Sequence, residues 1–324
     1  MPSPFTAEQL EKFNKIFFPR LVSARNHIIS EKINFVHYTG ANAALNMLKN
    51  REVWLRNSTT MNDFTEIEHG LRCLKQMWND QTGNKFVSAL DSIFSDRLGL
   101  DVEKVFNQVE NTIRADTFLF CVSEHFNNEQ DSAGRLSMWR GYGSDNAVAI
   151  VFKSDVFFGK AELPTFSFPV AYLDFSGDKF KHNIELIAEN IASNRGFLNS
   201  IDRIHVLNLA IQTLRAEVIC TKHPGFNEER EWRVVFSPSI QDSKYISSSI
   251  ENISGTPQIV RKIPLKNIPE IGFNCDIATL IDKIIIGPAR YPLVLVQAFT
   301  ELLDKAKVPN PGGRVFYSQI PLRR

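Results

Sequence analysis

The sequence predicts an α+β protein, on three observations. Short apolar runs of strand length recur along the chain, at 33–38, 53–55, 117–123, 146–152, 283–286 and 315–317. Two long stretches, about 66–113 and 181–220, carry apolar residues in a helical pattern instead. Neither an internal repeat nor a low-complexity linker separates these parts. One domain with helical insertions is the economical reading: an N-terminal helical segment over 1–32, then a single α+β domain over 33–324.

The elements follow in order. The first thirty residues read as helix, with Thr6 as N-cap, Gln9 three residues on, and Leu10, Phe13, Ile16 and Phe17 at helical spacing. A strand over 33–38 leads to Thr39, which is placed to cap a helix striped by Ala44, Leu45 and Leu48. Val53-Trp54-Leu55 is a second short strand before the polar loop 57–63. The strands 117–123 and 146–152 flank a polar loop (125–135) and an aromatic-rich turn, Met138-Trp139-Arg140-Gly141-Tyr142-Gly143. A strand over 170–173 precedes two helices within 181–220. The serine-rich stretch 237–252 reads as a mobile hairpin or loop. The strand 283–286, a helix over 292–305 with Pro292 in its first turn, and a final strand over 315–317 complete the chain.

Composition narrows the function classes. With 324 residues, 43% hydrophobic and 23% charged, this is the make-up of a water-soluble globular protein, and 25 phenylalanines predict an aromatic core. A formal charge of +1 gives no global field for nucleic acid or an anionic membrane, and leaves a local basic groove open. Cys73, Cys121, Cys220 and Cys275 are widely spaced, the pattern of reduced buried thiols and not of a disulfide framework or zinc site. The first ten residues lack the apolar core of a signal peptide, and the longest apolar runs are far too short for a bilayer. A cytoplasmic location without a membrane partner is therefore expected. P-loop, G-x-G-x-x-G and G-x-S-x-G signatures are absent.

Chemistry concentrates in Asn227-Glu228-Glu229-Arg230-Glu231-Trp232-Arg233-Val234-Val235-Phe236. Read as a loop entering a strand, it sends Trp232, Val234 and Phe236 into a core and lines Glu229, Glu231 and Arg233 on the other face. Such a row is costly unless it meets a cleft or solvent. The plainer reading is the solvated face of an edge strand, with Arg233 as a cross-strand partner. Three further signatures precede it: the strand end His37-Tyr38-Thr39, the strand end Cys121-Val122-Ser123-Glu124, and the turn carrying Trp139 and Tyr142. Asn62-Asp63 with Glu66 lies between the first two. Each has a plain alternative: a satisfied core histidine, a strand terminator, a core tryptophan, a turn. Joint function requires His37, Ser123, Tyr142 and Glu231 to border one cleft.

The set of signatures resembles a widespread bacterial family whose activity is its open question, and the resemblance extends to Ser318-Gln319-Ile320-Pro321-Leu322-Arg323 near the C-terminus. More loosely, the order of residues is similar to that of mono-ADP-ribosyltransferases. That resemblance implies a split, mainly antiparallel sheet with added helices, and NAD as substrate. It implies that His37 grips the nicotinamide-side ribose and that Tyr38, Thr39 and Ser123 take part in binding NAD; by their chemistry, aromatic faces such as Trp139 and Tyr142 can hold the planar nicotinamide, and Arg56 or Arg140 can meet the pyrophosphate. Glu231 would stabilise an oxocarbenium-like state, Glu229 would position the acceptor, and Asn62, Asp63 and Arg233 would support them. The acceptor would be a protein or nucleic acid, and the setting a toxin with an antitoxin partner or an antiphage effector. Two rivals stand beside this: a metal-dependent nuclease using Asp63, Glu66, Glu229 and Glu231 around Mg²⁺, and a non-catalytic nucleotide-binding module.

Overall fold

The computed structural model describes residues 4–61, 66–143, 145–159, 161–173 and 178–321, with the backbone alone for 66, 178 and 179. Described strands, in chain order, are β1 (Asn34–Gly40), β2 (Glu52–Asn57), β3 (Phe118–His125), β4 (Asn146–Phe152), β5 (Thr165–Pro169), β6 (Ala171–Tyr172), β7 (Thr221–Lys222), β8 (Glu231–Phe236), β9 (Ser247–Ile253), β10 (Thr256–Pro264), β11 (Ile281–Ala289) and β12 (Val315–Tyr317). The chain divides into two compact units. One comprises Met1–Asn26, Asn57–Thr117 and Phe168–Asn227; the other comprises His27–Arg56, Phe118–Ser167 and Glu228–Arg324. Both stretches expected as helical insertions fall within the first unit.

The first unit is helical apart from the short β6–β7 pair. Its opening helix, Ala7–Phe17, is closed by a capping box: the Gln9 amide donates to the Thr6 hydroxyl, and the Thr6 amide donates to the Gln9 side chain. Pro19 then starts a second helix, Pro19–Ser30, so the expected single helix is broken where a proline disfavours helical geometry in its predecessor. The 66–113 stretch forms Glu66–Trp78, Gln81–Phe94 and Leu98–Ala115. The 181–220 stretch forms three helices instead of two, because Asp202 caps a fresh start at Arg203–Ile219, accepting from the Ile204 amide. Gly70 lets the first of these helices approach that last one: a Cβ there would stand 2.0 Å from the Val218 carbonyl oxygen.

The second unit is built on a largely antiparallel sheet in the order β12-β11-β4-β1-β3-β2-β10-β9, with β8 paired to β3 and to β5. Among the described registers of this sheet only β11–β12 is parallel. The burial of β4, six of whose seven residues are closed to solvent, follows from its central place. Two local expectations need correction. Thr39 belongs to β1, and the helix Ala41–Asn50 is capped by Gly40 without a side-chain bond. The aromatic turn is a helix, Leu136–Tyr142. The serine-rich stretch, expected as a hairpin or loop, supplies β9 to a hairpin: β9 pairs with β10 across Ser254 (φ 53°) and Gly255 (φ 85°), two positive φ values that suit a tight turn.

Candidate functional site

Register fixes which side chains share a face. In the β3–β8 ladder Ser123 opposes Glu231, Cys121 opposes Arg233, and Phe120 opposes Val234. Directly opposed residues point the same way, and neighbours along a strand point oppositely. One face therefore carries Ser123, Cys121, Glu231 and Arg233, and the other carries Phe120, Trp232 and Val234. The expected division of the Glu231 strand holds.

The charged face is closed rather than solvated. Glu231 is 5% exposed and Arg233 fully buried. Arg233 Nε donates to Glu231 Oε1 at 2.9 Å and its NH2 reaches Oε2 at 3.4 Å. A desolvated pair of this kind is tolerable only with such two-point geometry. Glu229 is not on the strand: it ends a 3-10 turn, and Arg230 follows with φ 44°. Its carboxylate nonetheless reaches the same face, where the Tyr142 hydroxyl donates to Glu229 Oε1 at 2.6 Å. Burial first, and then the Glu229 carboxylate, push the Tyr142 phenol above its ordinary pKa. It stays protonated and able to donate.

The Leu136–Tyr142 helix brings Tyr142 to this place because Trp139 anchors it. Trp139 is fully buried in a cluster with Val36, Tyr38, Ala147, Ala149 and Val151, and Tyr142 packs against the same cluster. Its indole stands edge-on to Tyr38 and donates Nε1–H to the Ala133 carbonyl at 3.1 Å. Two glycines make the slot. A Cβ on Gly134 (φ +73°) would stand 2.5 Å from the ring, and one on Gly287 would stand 2.7 Å from it.

Residues that sequence reasoning passed over hold the loop before β8. Buried Arg135 donates to the carbonyls of Glu228 and, at 3.2 Å, of Glu229, and its Nε lies 3.6 Å from Asp131 Oδ1. Fully buried Asp131 also accepts from the Phe126 amide at 2.7 Å and pairs with Arg230 at 3.5 Å. The signal was an acid–base pair at i and i+4 inside a segment read only as polar loop.

Not every expected residue joins this group. Val36 and Tyr38 lie on the Trp139 side of β1, so His37 and Thr39 lie on the other. His37 stacks on Phe120 at 4.6 Å between ring centroids, and its Nδ1 lies 2.9 Å from the Cys121 carbonyl oxygen. The β1–β3 ladder has by then ended at Val36–Ser123, and the imidazole takes the place of a backbone partner. A carbonyl only accepts, so Nδ1 carries the proton, and burial holds the ring below the ordinary histidine pKa. The expectation of one cleft shared by His37 and Glu231 is corrected: a period of two sends them to opposite faces. Tyr38 is 5% exposed, and its hydroxyl accepts from the Arg135 amide at 3.0 Å. Arg56, on β2, donates from Nε to Gln258 at 3.3 Å, and Arg140 is exposed on its helix. Asn62 and Asp63 lie outside the described residues, as does the Glu66 side chain. Among the described residues, no group of three His, Cys, Asp or Glu is placed to hold a metal ion, no cysteine is in a disulfide, and no helix is long and apolar enough to cross a membrane.

Residues 138–234 match a family described as "Protein of unknown function (DUF2971)". The matched stretch begins in the Trp139 helix and ends on β8, so it spans Tyr142, Glu229, Glu231 and Arg233. No curated protein and no solved structure matches the chain.

Proposed function

We propose that the chain transfers ADP-ribose from NAD to a macromolecular acceptor, protein or nucleic acid, through the buried carboxylates of the β8 face. One observation carries the reading: Glu229 and Glu231, two residues apart, meet the same face in different states of restraint. Glu231 is gripped by Arg233, which favours its charged form. Glu229 receives the Tyr142 hydroxyl. A fixed carboxylate of the first kind suits a developing oxocarbenium ion, and one of the second kind suits an acceptor that must be oriented and deprotonated. The sheet with added helices is compatible with the transferase resemblance. His37 and Thr39 have no part at Glu231 in this reading, because they face the other way. A toxin or antiphage setting, with or without an antitoxin, rests on the resemblance alone.

The burial of Glu231 and Arg233 favours a second reading, in which the pair is a lock that fixes β8 and the site binds a nucleotide without turnover. Nicotinamide release from labelled NAD, with and without cell extract as the acceptor source, separates the two. On the transferase reading, Glu231→Gln keeps NAD affinity and loses on the order of 10²–10³ in rate. Full activity in Glu231→Gln with loss in Glu229→Gln would reverse the two roles. Absence of nicotinamide release by the wild type under every acceptor condition would leave the second reading.

A further inference from the structure

The face of the sheet that the proposed transfer leaves unused contains a cavity of about 120 Å³, lined among others by Phe120, Phe152, Phe157, Val234, Ile263 and Phe273. All its described lining residues belong to the second unit. Phe120 and Val234 point away from Glu231 and Arg233, so the backbone layer of the sheet separates the cavity from the carboxylates. The rings around it hold one another: Phe120 lies 6.3 Å from Phe152, Phe152 lies 6.4 Å from Phe157, and His37 backs Phe120. Polar groups are few. Thr165 and Ser167, alternate residues of β5, offer hydroxyls, and Cys275 offers a thiol that burial pushes up to about 12 and so keeps neutral.

Protein interiors keep few voids larger than a water molecule. This cavity opens to solvent past Phe157, Gly159 and the β5 hydroxyls, and a largely apolar pocket of this order of size, walled by aromatic and aliphatic side chains, accepts a benzene-sized guest. The lining also selects within that class. Four phenylalanines favour a ring over a branched alkyl group, through edge and face contacts. None of the described lining residues carries a formal charge, so an ionised ligand would be left uncompensated. We propose that this cavity is a binding site for a neutral six-membered aromatic ring with one hydrogen-bonding edge, the edge being met by the β5 hydroxyls. The site is independent of the proposed transferase chemistry.

Benzene, phenol and benzoate are the probes, titrated into the full-length wild-type protein with its methyl groups labelled for NMR. Saturable shifts confined to the methyls that line the cavity, among them Val53, Val156, Leu163, Val234, Ile263 and Leu280, are expected, with phenol binding more tightly than benzene and benzoate not binding. Val234→Phe and Ile263→Phe each place a ring in the void and are expected to weaken phenol by about tenfold or more. No saturable shift in the wild type, shifts spread beyond those methyls, or undiminished affinity in either filled variant that remains folded overturns the proposal. The wild-type methyl map decides on its own if both variants misfold. Because the readout is binding, failure here leaves nicotinamide release untouched, and the converse holds.

Discussion

On the Trp139 side of the sheet the protein is filled to contact: a hydrogen on Gly134 or Gly287 is all that fits beside the indole. Through the same strands, on the Phe120 and Val234 side, there is an open volume of about 120 Å³. The difference follows what each face must hold. An ion pair taken out of water breaks even only when its geometry is close to ideal, so Glu231 and Arg233 need neighbours that cannot shift. Apolar contact is non-directional, and a face made of it loses only part of its dispersion energy when it leaves a gap. The charged face is thus brittle and the aromatic face tolerant.

The largest effect is expected at Arg233. From sequence alone its removal reads as a loss of activity with the fold intact. Full burial changes that expectation, because Arg233→Ala takes the two-point contact of the guanidinium away from a desolvated carboxylate. Breaking a buried pair from one side costs about 3–5 kcal/mol. Urea unfolding followed by tryptophan fluorescence should show a loss of that order, and Arg233→Ala combined with Glu231→Leu should recover part of it. A loss below about 1 kcal/mol, the range of a surface pair, would mean that the charged face is solvated after all.

His125 gives the next effect, through pH. It is 3% exposed, and neither ring nitrogen has a hydrogen-bond partner among the described residues. Burial, then the charge of Lys283, lowers its pKa from 6.5 to about 4, with Arg135 acting in the same direction and Asp131 against it. Between those two values the unfolded chain binds a proton that the folded chain refuses. Stability is therefore complete above about pH 6.5 and falls as pH drops toward 4, by about 3 kcal/mol at most from this group. His125→Gln should flatten the urea midpoint over that window. A wild-type midpoint that does not move between pH 7 and 5 would show that the ring has a partner or is open to water.

The sequence was legible where a local rule decides the outcome. The Thr6–Gln9 capping box, β4, the Pro292–Lys305 helix and β12 fall where period, cap and proline place them. The alternation of Glu231, Arg233 and Val234 was legible for the same reason. What failed needs information from distant segments. The face of His37 depends on the register of β1 against β3 and β4, which no property of 33–38 reveals. Glu229 departs from its strand because Arg230 takes a positive φ while Arg135 holds the preceding carbonyls, a contact across more than ninety residues. Trp139 looked like a platform because its slot is made by Gly134 and Gly287, on either side of it in the chain.

The smallest effects make the sharpest test, because they add one carbon to each face. Gly287→Ala puts a methyl 2.7 Å from the Trp139 ring and 2.9 Å from the Ala147 Cβ, between neighbours that are themselves fully buried. Overpacking of this kind costs about 1–3 kcal/mol. Val234→Ile adds its methylene on the side of the cavity, where the atoms removed from water meet empty space, and a gain of about 0.5–1 kcal/mol is expected. Opposite signs in the two denaturation midpoints are the signature of one filled face and one with room. If both variants lose stability alike, the gap beside Val234 closes in solution. The tolerance assigned to the aromatic face would then be no greater than that of the face holding the ion pair.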